Sequence, residues 1–197
     1  MPLEDSHPTK MKGSSCRFVL SKIIEDEVTH EYAYDIFEPT VGLEIAGRNI
    51  FKELGLDGTD RVVIMHFLEV ALGKTLRLID DLSRNPNGEY EFWLLGSEYG
   101  IELQRRGNIL DVMLQVGYRH GSELDWTEGA GKTRAGPITV NDWVEAVVRL
   151  GKDLSDIFER LNPRKVPSPL ESKRKALEHW LKLRGSGRNP SSGLTEG

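Results

Sequence analysis

The sequence predicts an α+β protein: an antiparallel sheet of about six strands, two long amphipathic helices on one face, and a basic C-terminal helix. Three observations predict it. The stretch "EYEFWLLGSEYGIELQRRGNILDVMLQV" alternates apolar and polar residues across two short turns. Two long segments, one beginning near Thr59 and one near Asn141, repeat their apolar residues every three or four positions. Both kinds of element leave one apolar face that must be covered, and each can cover the other.

Residues 1–15 are polar, carry two prolines and show no period, so they are expected to be disordered. "CRFVLSKII" and "HEYAYDIF" are rich in β-branched and aromatic residues and predict strands, the second limited by Pro39. "VGLEIAGRNIF" predicts a third strand that bends at Gly47. "DGTDRVVIMHFLEVALGKTLRLIDDL" predicts the first long helix, with a strand as the alternative for its opening "RVVIMHF", which periodicity does not exclude. Val62, Met65, Leu68, Leu72, Leu76 and Ile79 share one face, Thr59 or Asp60 serves as cap, and "SRNPNG" is the stop.

The meander follows. Turns at Gly96-Ser97 and Gly107-Asn108 make three strands, and two-residue loops fix the register by counting. Tyr90 then stands opposite Leu103 and Leu103 opposite Val112. The neighbouring rows are Phe92–Ile101–Leu114 and Leu94–Tyr99–Val116. All nine residues are large and apolar or aromatic, as a core face in correct register requires. In the second long helix Trp143, Val147, Leu150, Leu154, Ile157 and Leu161 form the apolar stripe, with Lys152, Asp153 and Asp156 on the far side. Burying that stripe contributes roughly 10–15 kcal/mol before ordering entropy is subtracted. A third helix is expected from about Pro169 to Arg184, with Ser168 and Glu171 spaced as a capping box. The expected organisation is therefore a single domain over 16–161, a linker and basic amphipathic helix over 162–185, and a disordered tail over 186–197.

The chain has 197 residues, 38% hydrophobic and 29% charged, with a formal charge of −5. Residues 162–197 hold eight Lys or Arg against three Glu, hence +5, which leaves −10 on residues 1–161. A single cysteine, Cys16, excludes an intramolecular disulfide and any multi-cysteine zinc site. "MPLEDSHPTKMKGSSC" lacks the apolar core of a secretory signal, and "VVIMHFLEVAL" is too short to span a bilayer. The expected location is cytoplasmic.

Gly-Lys-Thr occurs twice, in "ALGKTL" and "GAGKTR", but neither has the geometry of a phosphate loop. The leading glycine is replaced by Leu68 in one copy and Trp126 in the other. The first copy falls inside a predicted helix; the second has a loop before it and "RAGP" after it. The five histidines are scattered, and no G-x-S-x-G elbow is present. His120, Glu123 and Asp125 in "HGSELD" are the nearest approach to a ligand or acid–base cluster, and they define an alternative class: a small metal-dependent hydrolase.

The meander's outer face carries the leading reading. Its rows are Glu89–Gln104–Asp111, Glu91–Glu102–Met113 and Trp93–Gly100–Gln115. Glu91 facing Glu102 is a like-charge pair, which weakens a sheet. A tryptophan beside a strand glycine and among carboxylates has the make-up of a protein-binding anchor in an acidic field. Glu89, Glu91, Trp93, Glu102, Asp111 and Met113 are the expected partner-binding residues, and the expected function is non-catalytic, without cofactor or metal. The basic helix is consistent with three roles: nucleic-acid binding by counterion release, docking on the acidic body, or a solvated end. Nucleic acid is the less favoured partner, because aromatic interleaving stops at Trp180.

The order of elements over 16–161 resembles the small immunity proteins of bacterial polymorphic-toxin systems. The resemblance rests on "YEFWLLGSEYGIELQRRGNILDVMLQV" followed by "ITVNDWVEAVVRLGKDLSDIFERLNPR". It implies a protein that inhibits a cognate toxin by covering its site, and a basic toxin would suit an acidic inhibitor. It carries over no individual binding residue.

Overall fold

The computed structural model describes residues 16–24, 38–53, 62–94, 99–116, 118–120, 123–125, 132–161 and 168–185. The predicted strand "HEYAYDIF" (residues 30–37) lies outside them. In chain order the elements are β1 (Cys16–Ser21), β2 (Thr40–Ile45), β3 (Arg48–Asn49), α1 (Ile50–Glu53), α2 (Ile64–Asp81), β4 (Asn87–Trp93), β5 (Tyr99–Arg106), β6 (Ile109–Val116), β7 (Tyr118–His120), β8 (Glu123–Asp125), β9 (Lys132–Thr139), α3 (Val140–Leu161) and α4 (Ser168–Gly185). The α+β class holds. The strands, however, divide into antiparallel sheets of order β1-β2-β3 and β4-β5-β6-β9 and a separate β7-β8 hairpin, rather than one sheet of about six.

The meander has the register obtained by counting. Tyr90 pairs with Leu103 and Leu103 with Val112; Glu91 pairs with Glu102 and Glu102 with Met113. Leu94 N donates to Tyr99 O at 3.1 Å, so the ladder continues to the edge of the first turn, whose residues 95–98 are not described. The expected core side chains Tyr90, Phe92, Leu94, Ile101, Leu103, Val112 and Leu114 are buried.

Three elements depart from expectation. The bent strand at 41–51 is a hairpin: β2 and β3 are joined by Ala46 and Gly47, at φ +54° and +79°, before α1 opens at Ile50. Two consecutive positive φ values are what a two-residue turn matching strand twist demands, and Gly47 supplies one without strain. The stretch from Lys132 to Thr139, for which the sequence pattern predicts no element, is β9, paired with β6. Gly136, at φ +123°, accompanies a break in that pairing between Val112 and Met113, and Pro137 follows it; both are tolerated because β9 is an edge strand. Finally, α2 starts after Val63 with no side-chain cap hydrogen bond there, and the expected caps Thr59 and Asp60 lie outside the described residues.

Both long helices bury wider faces than one stripe. On α2 the buried set is Ile64, Met65, Phe67, Leu68, Ala71, Leu72, Thr75 and Leu78, while Leu76 and Ile79 are only partly covered. On α3, Val144, Val148 and Phe158 join Trp143, Val147, Leu150 and Leu154. The reason is that each helix is covered twice: on one side by strands, on the other by α4, which packs on both. Gly151 permits this close approach, since a Cβ there would stand 3.1 Å from Arg174 Cδ.

Trp143 ties the layers together. Its ring lies 5.5 Å from Phe18 of β1 and 5.0 Å from Phe92 of β4, and its Nε1 donates to the buried Thr75 Oγ1 at 3.1 Å. Thr139 caps α3 reciprocally: its N–H and hydroxyl donate to Asp142 Oδ2, and Asp142 N–H donates to Thr139 Oγ1.

Candidate functional site

The outer face of the four-stranded sheet contains all six expected binding residues, but they do not form one open patch. Glu89 and Glu91 are exposed on β4. Trp93 is half-buried because its ring lies on Gly100, where a Cβ would come within 3.0 Å of Trp93 Cε3 and Cζ3. Asp111 is partly covered and accepts a bifurcated hydrogen bond from Arg134 Nε at 2.7 and 3.0 Å, which holds the guanidinium pKa above its usual value. Met113 is half-buried.

Glu102 is where the face differs most from expectation. It is only 5% exposed, and its carboxylate accepts from Gln104 Nε2 at 2.7 Å and from Gln115 Nε2. The two carboxylates of the Glu91–Glu102 pair therefore part company. Glu91 faces solvent while Glu102 turns into a pair of amides, because a buried carboxylate needs donors. The signal was present in the rows: Gln104 lies two residues along β5 from Glu102, and Gln115 lies on its diagonal on β6. The face is closed at Gly100, Glu102 and Gln115 and open at Glu89 and Glu91.

The open part continues round the sheet edge. Beyond β4, Lys74 and Arg77 of α2 and the turn at Asn85–Asn87 border a cleft of about 590 Å³, which Glu89 and Glu91 also line. Lys74 Nζ donates to the Glu91 backbone oxygen and lies 5.8 Å from the Phe92 ring centre. That is the role of the first Gly-Lys-Thr: a helical segment whose lysine caps a strand carbonyl and whose threonine holds Trp143. Of the second copy, Lys132 and Thr133 begin β9 and Gly131 lies outside the described residues.

Arg105 is a further residue that sequence reasoning passed over. It is 1% exposed on the core side of β5, and its guanidinium donates to the carbonyls of Asp81, Asn85, Pro86, Asn87 and Gly107 at 2.6–3.4 Å. A cation there also complements the C-terminus of α2. Beside it the Tyr90 hydroxyl donates to Asp81 Oδ2 at 3.0 Å, and burial raises the Tyr90 pKa. The parity of β5 was the available signal: Arg105 falls on the same side as Leu103 and Ile101, opposite Gly88.

The basic helix docks on its own acidic body. Leu170, Leu177 and Trp180 of α4 are buried. Lys173 pairs with Glu69 at 3.6 Å, Lys152 with Glu178 at 3.3 Å, and Arg184 donates to Asn108 Oδ1 at 2.9 Å and stacks on Trp180. His120 pairs with Glu123 in the β7–β8 hairpin and Tyr118 with Asp125; their side chains lie outside what the structure describes. Among the described residues no cluster of three or more His, Cys, Asp or Glu could hold a metal ion, and no helix is long and apolar enough to cross a membrane. No protein-family model, curated protein or solved structure matches the chain.

Proposed function

We propose that this chain is a non-catalytic protein-binding domain that docks a basic partner on the acidic outer side of β4, in the manner of the immunity proteins its layout resembles. One observation carries the reading. Glu89 and Glu91 remain exposed on an edge strand, while the other acidic groups of the same face are engaged, Asp111 by Arg134 and Glu102 by two glutamine amides. Two carboxylates about 7 Å apart along one strand, without a partner among the described residues, steer a cationic surface towards it and set register there. Trp93, half-exposed beside them, offers an aromatic surface at low entropic cost.

The test uses the full chain as bait in an extract of its native cell, beside two variants: Glu89→Lys with Glu91→Lys, and Glu91→Lys with Trp93→Ala. Circular dichroism verifies folding. The expected result is a partner held by the parent and lost by both variants; a partner retained by both folded variants sinks the assignment. One observation favours a second reading, since the hairpin pairs His120 with Glu123 across two strands. A metal-dependent site there predicts heat on calorimetric titration with Zn²⁺, Mn²⁺ or Mg²⁺ that disappears in His120→Ala.

A further inference from the structure

Among the described residues strand β4 ends its sheet, and its hydrogen-bonding parity follows from two bonds. Leu94 N donates to Tyr99 O, and Gly107 N donates to Pro86 O at 2.6 Å. In an antiparallel ladder, pairs that exchange bonds alternate with pairs that do not. The even-numbered residues of β4 thus direct their N–H and C=O groups to β5, and Glu89 and Glu91 direct theirs outward. On this outward row Asn87 is held, its N–H by Asn85 Oδ1 and its oxygen by Arg105, and at Glu89 and Glu91 the group met among the described residues is the Lys74 ammonium on the Glu91 oxygen. A lysine at that place is a means of blunting a free edge, and a flexible one, since its side chain can swing aside.

The surroundings select what can pair there. An added strand would run in the 590 Å³ cleft, between the outward row of β4 and the α2 residues Lys74 and Arg77. Its side chains would alternate between two sides. Those beside Glu89 and Glu91 gain from positive charge; those beneath Lys74 and Arg77 do not. A second copy of β4 is disfavoured, because it would set Glu89 and Glu91 against identical carboxylates.

Building on the reading of β4 as a protein-docking surface, we infer that its outer edge accepts an extended segment of the partner as a fifth strand. That segment carries Lys or Arg at alternate positions and neutral or acidic residues between them. Backbone bonding supplies the affinity and the alternation supplies the selectivity, as in other strand-addition interfaces.

The probe is a short synthetic peptide alternating Lys and Thr. Its controls are the same peptide N-methylated at alternate amides, which keeps charge and loses donors, and a Glu–Thr peptide. Binding to the full chain is followed by fluorescence anisotropy, and the Glu89 and Glu91 amides by hydrogen exchange. The expected result is binding of the Lys–Thr peptide, at least about tenfold weaker after N-methylation or in Glu89→Lys with Glu91→Lys, with both amides protected. No binding, equal binding of the N-methylated peptide, or unprotected amides overturns the inference. The two readings fail separately. If the double lysine variant loses the native partner while N-methylation changes nothing, the docking face stands and strand addition falls.

Discussion

Replacing Arg105 by methionine tests the least expected feature of the fold, a buried arginine that gathers five backbone carbonyls. The cost can be worked from the bonds. Two of the five acceptors keep another donor when the guanidinium is removed: Pro86 O has Gly107 N, and Asp81 O has Arg84 N at 3.2 Å and Asn85 N at 3.0 Å. The carbonyls of Asn85, Asn87 and Gly107 lose the donor that Arg105 supplies. At about 1 kcal/mol or more for each acceptor left unmade, the loss is about 3 kcal/mol. It does not reach the roughly 5 kcal/mol of a fully buried broken charge network, because Asn85, Asn87 and Gly107 are themselves exposed and water can serve them in part. Arg105→Lys keeps the charge near the end of α2 but loses the planar fork, and is expected to cost about half as much.

The assay is urea unfolding of the full chain followed by circular dichroism. With a slope of about 2–3 kcal/mol/M for a chain of this size, the methionine variant should lower the midpoint by about 1–1.5 M and the lysine variant by about half that. Hydrogen exchange should locate the loosening at residues 81–88, where four of the five acceptors lie. A methionine variant within about 0.5 kcal/mol of the parent would refute the reasoning, since that is the scale of a surface substitution. So would a lysine variant as costly as the methionine one, because the shape of the guanidinium would then be irrelevant.

Two further outcomes follow from buried groups. Thr75→Val keeps the side-chain shape but leaves Trp143 Nε1 without its acceptor, and should cost about 1–3 kcal/mol in urea unfolding, with Thr75→Ser recovering most of it; a neutral Thr75→Val would refute the role given to this bond. Burial first, and then the negative charge of Asp142, push the Cys16 thiol up to about 12 from 9.0. The unfolded chain ionises at the lower value and the fold resists, so this stabilisation is fully present below pH 9.0 and is lost as pH rises to about 12, at about 1.4 kcal/mol per pH unit. The difference between parent and Cys16→Ala across that window isolates it; a difference that does not change with pH would refute it.

The meander could be read from sequence because its information is local. Tight turns fix the pairing, and a period of two then sorts every residue to a side, so Tyr90, Leu103 and Val112 could be aligned by counting. Elements that break local rules were missed. Ala46 occupies a positive-φ turn position that asparagine or glycine usually fills, so the hairpin read as a bend. Gly136 and Pro137 punctuate β9 as a loop would. The wide buried faces of α2 and α3 depend on α4 arriving from far along the chain. Alternation puts Glu102 on the outer side of the sheet, but whether that side is open at a given residue is a tertiary matter that no alternation encodes.

The same distinction decides which part of the acidic face can act. Counting strands leaves both outer strands of the meander, β4 and β6, as candidates for the sheet edge. The addition of β9 to β6 resolves this, and its sequence suits that side: a strand with Pro137 and a positive-φ Gly136 can end a sheet but could not lie within one. Arg134 arrives on β9 and engages Asp111, so the β6 side of the face gains a cation as it loses its free backbone. Had β9 joined β4 instead, the outward groups of Glu89 and Glu91 would be paired and the exposed acidic edge would fall at Asp111. The punctuation that conceals β9 in the sequence thus goes with an arrangement in which β4, among the described residues, is an edge strand with two solvent-facing carboxylates and an outward row on which Lys74 holds the Glu91 oxygen.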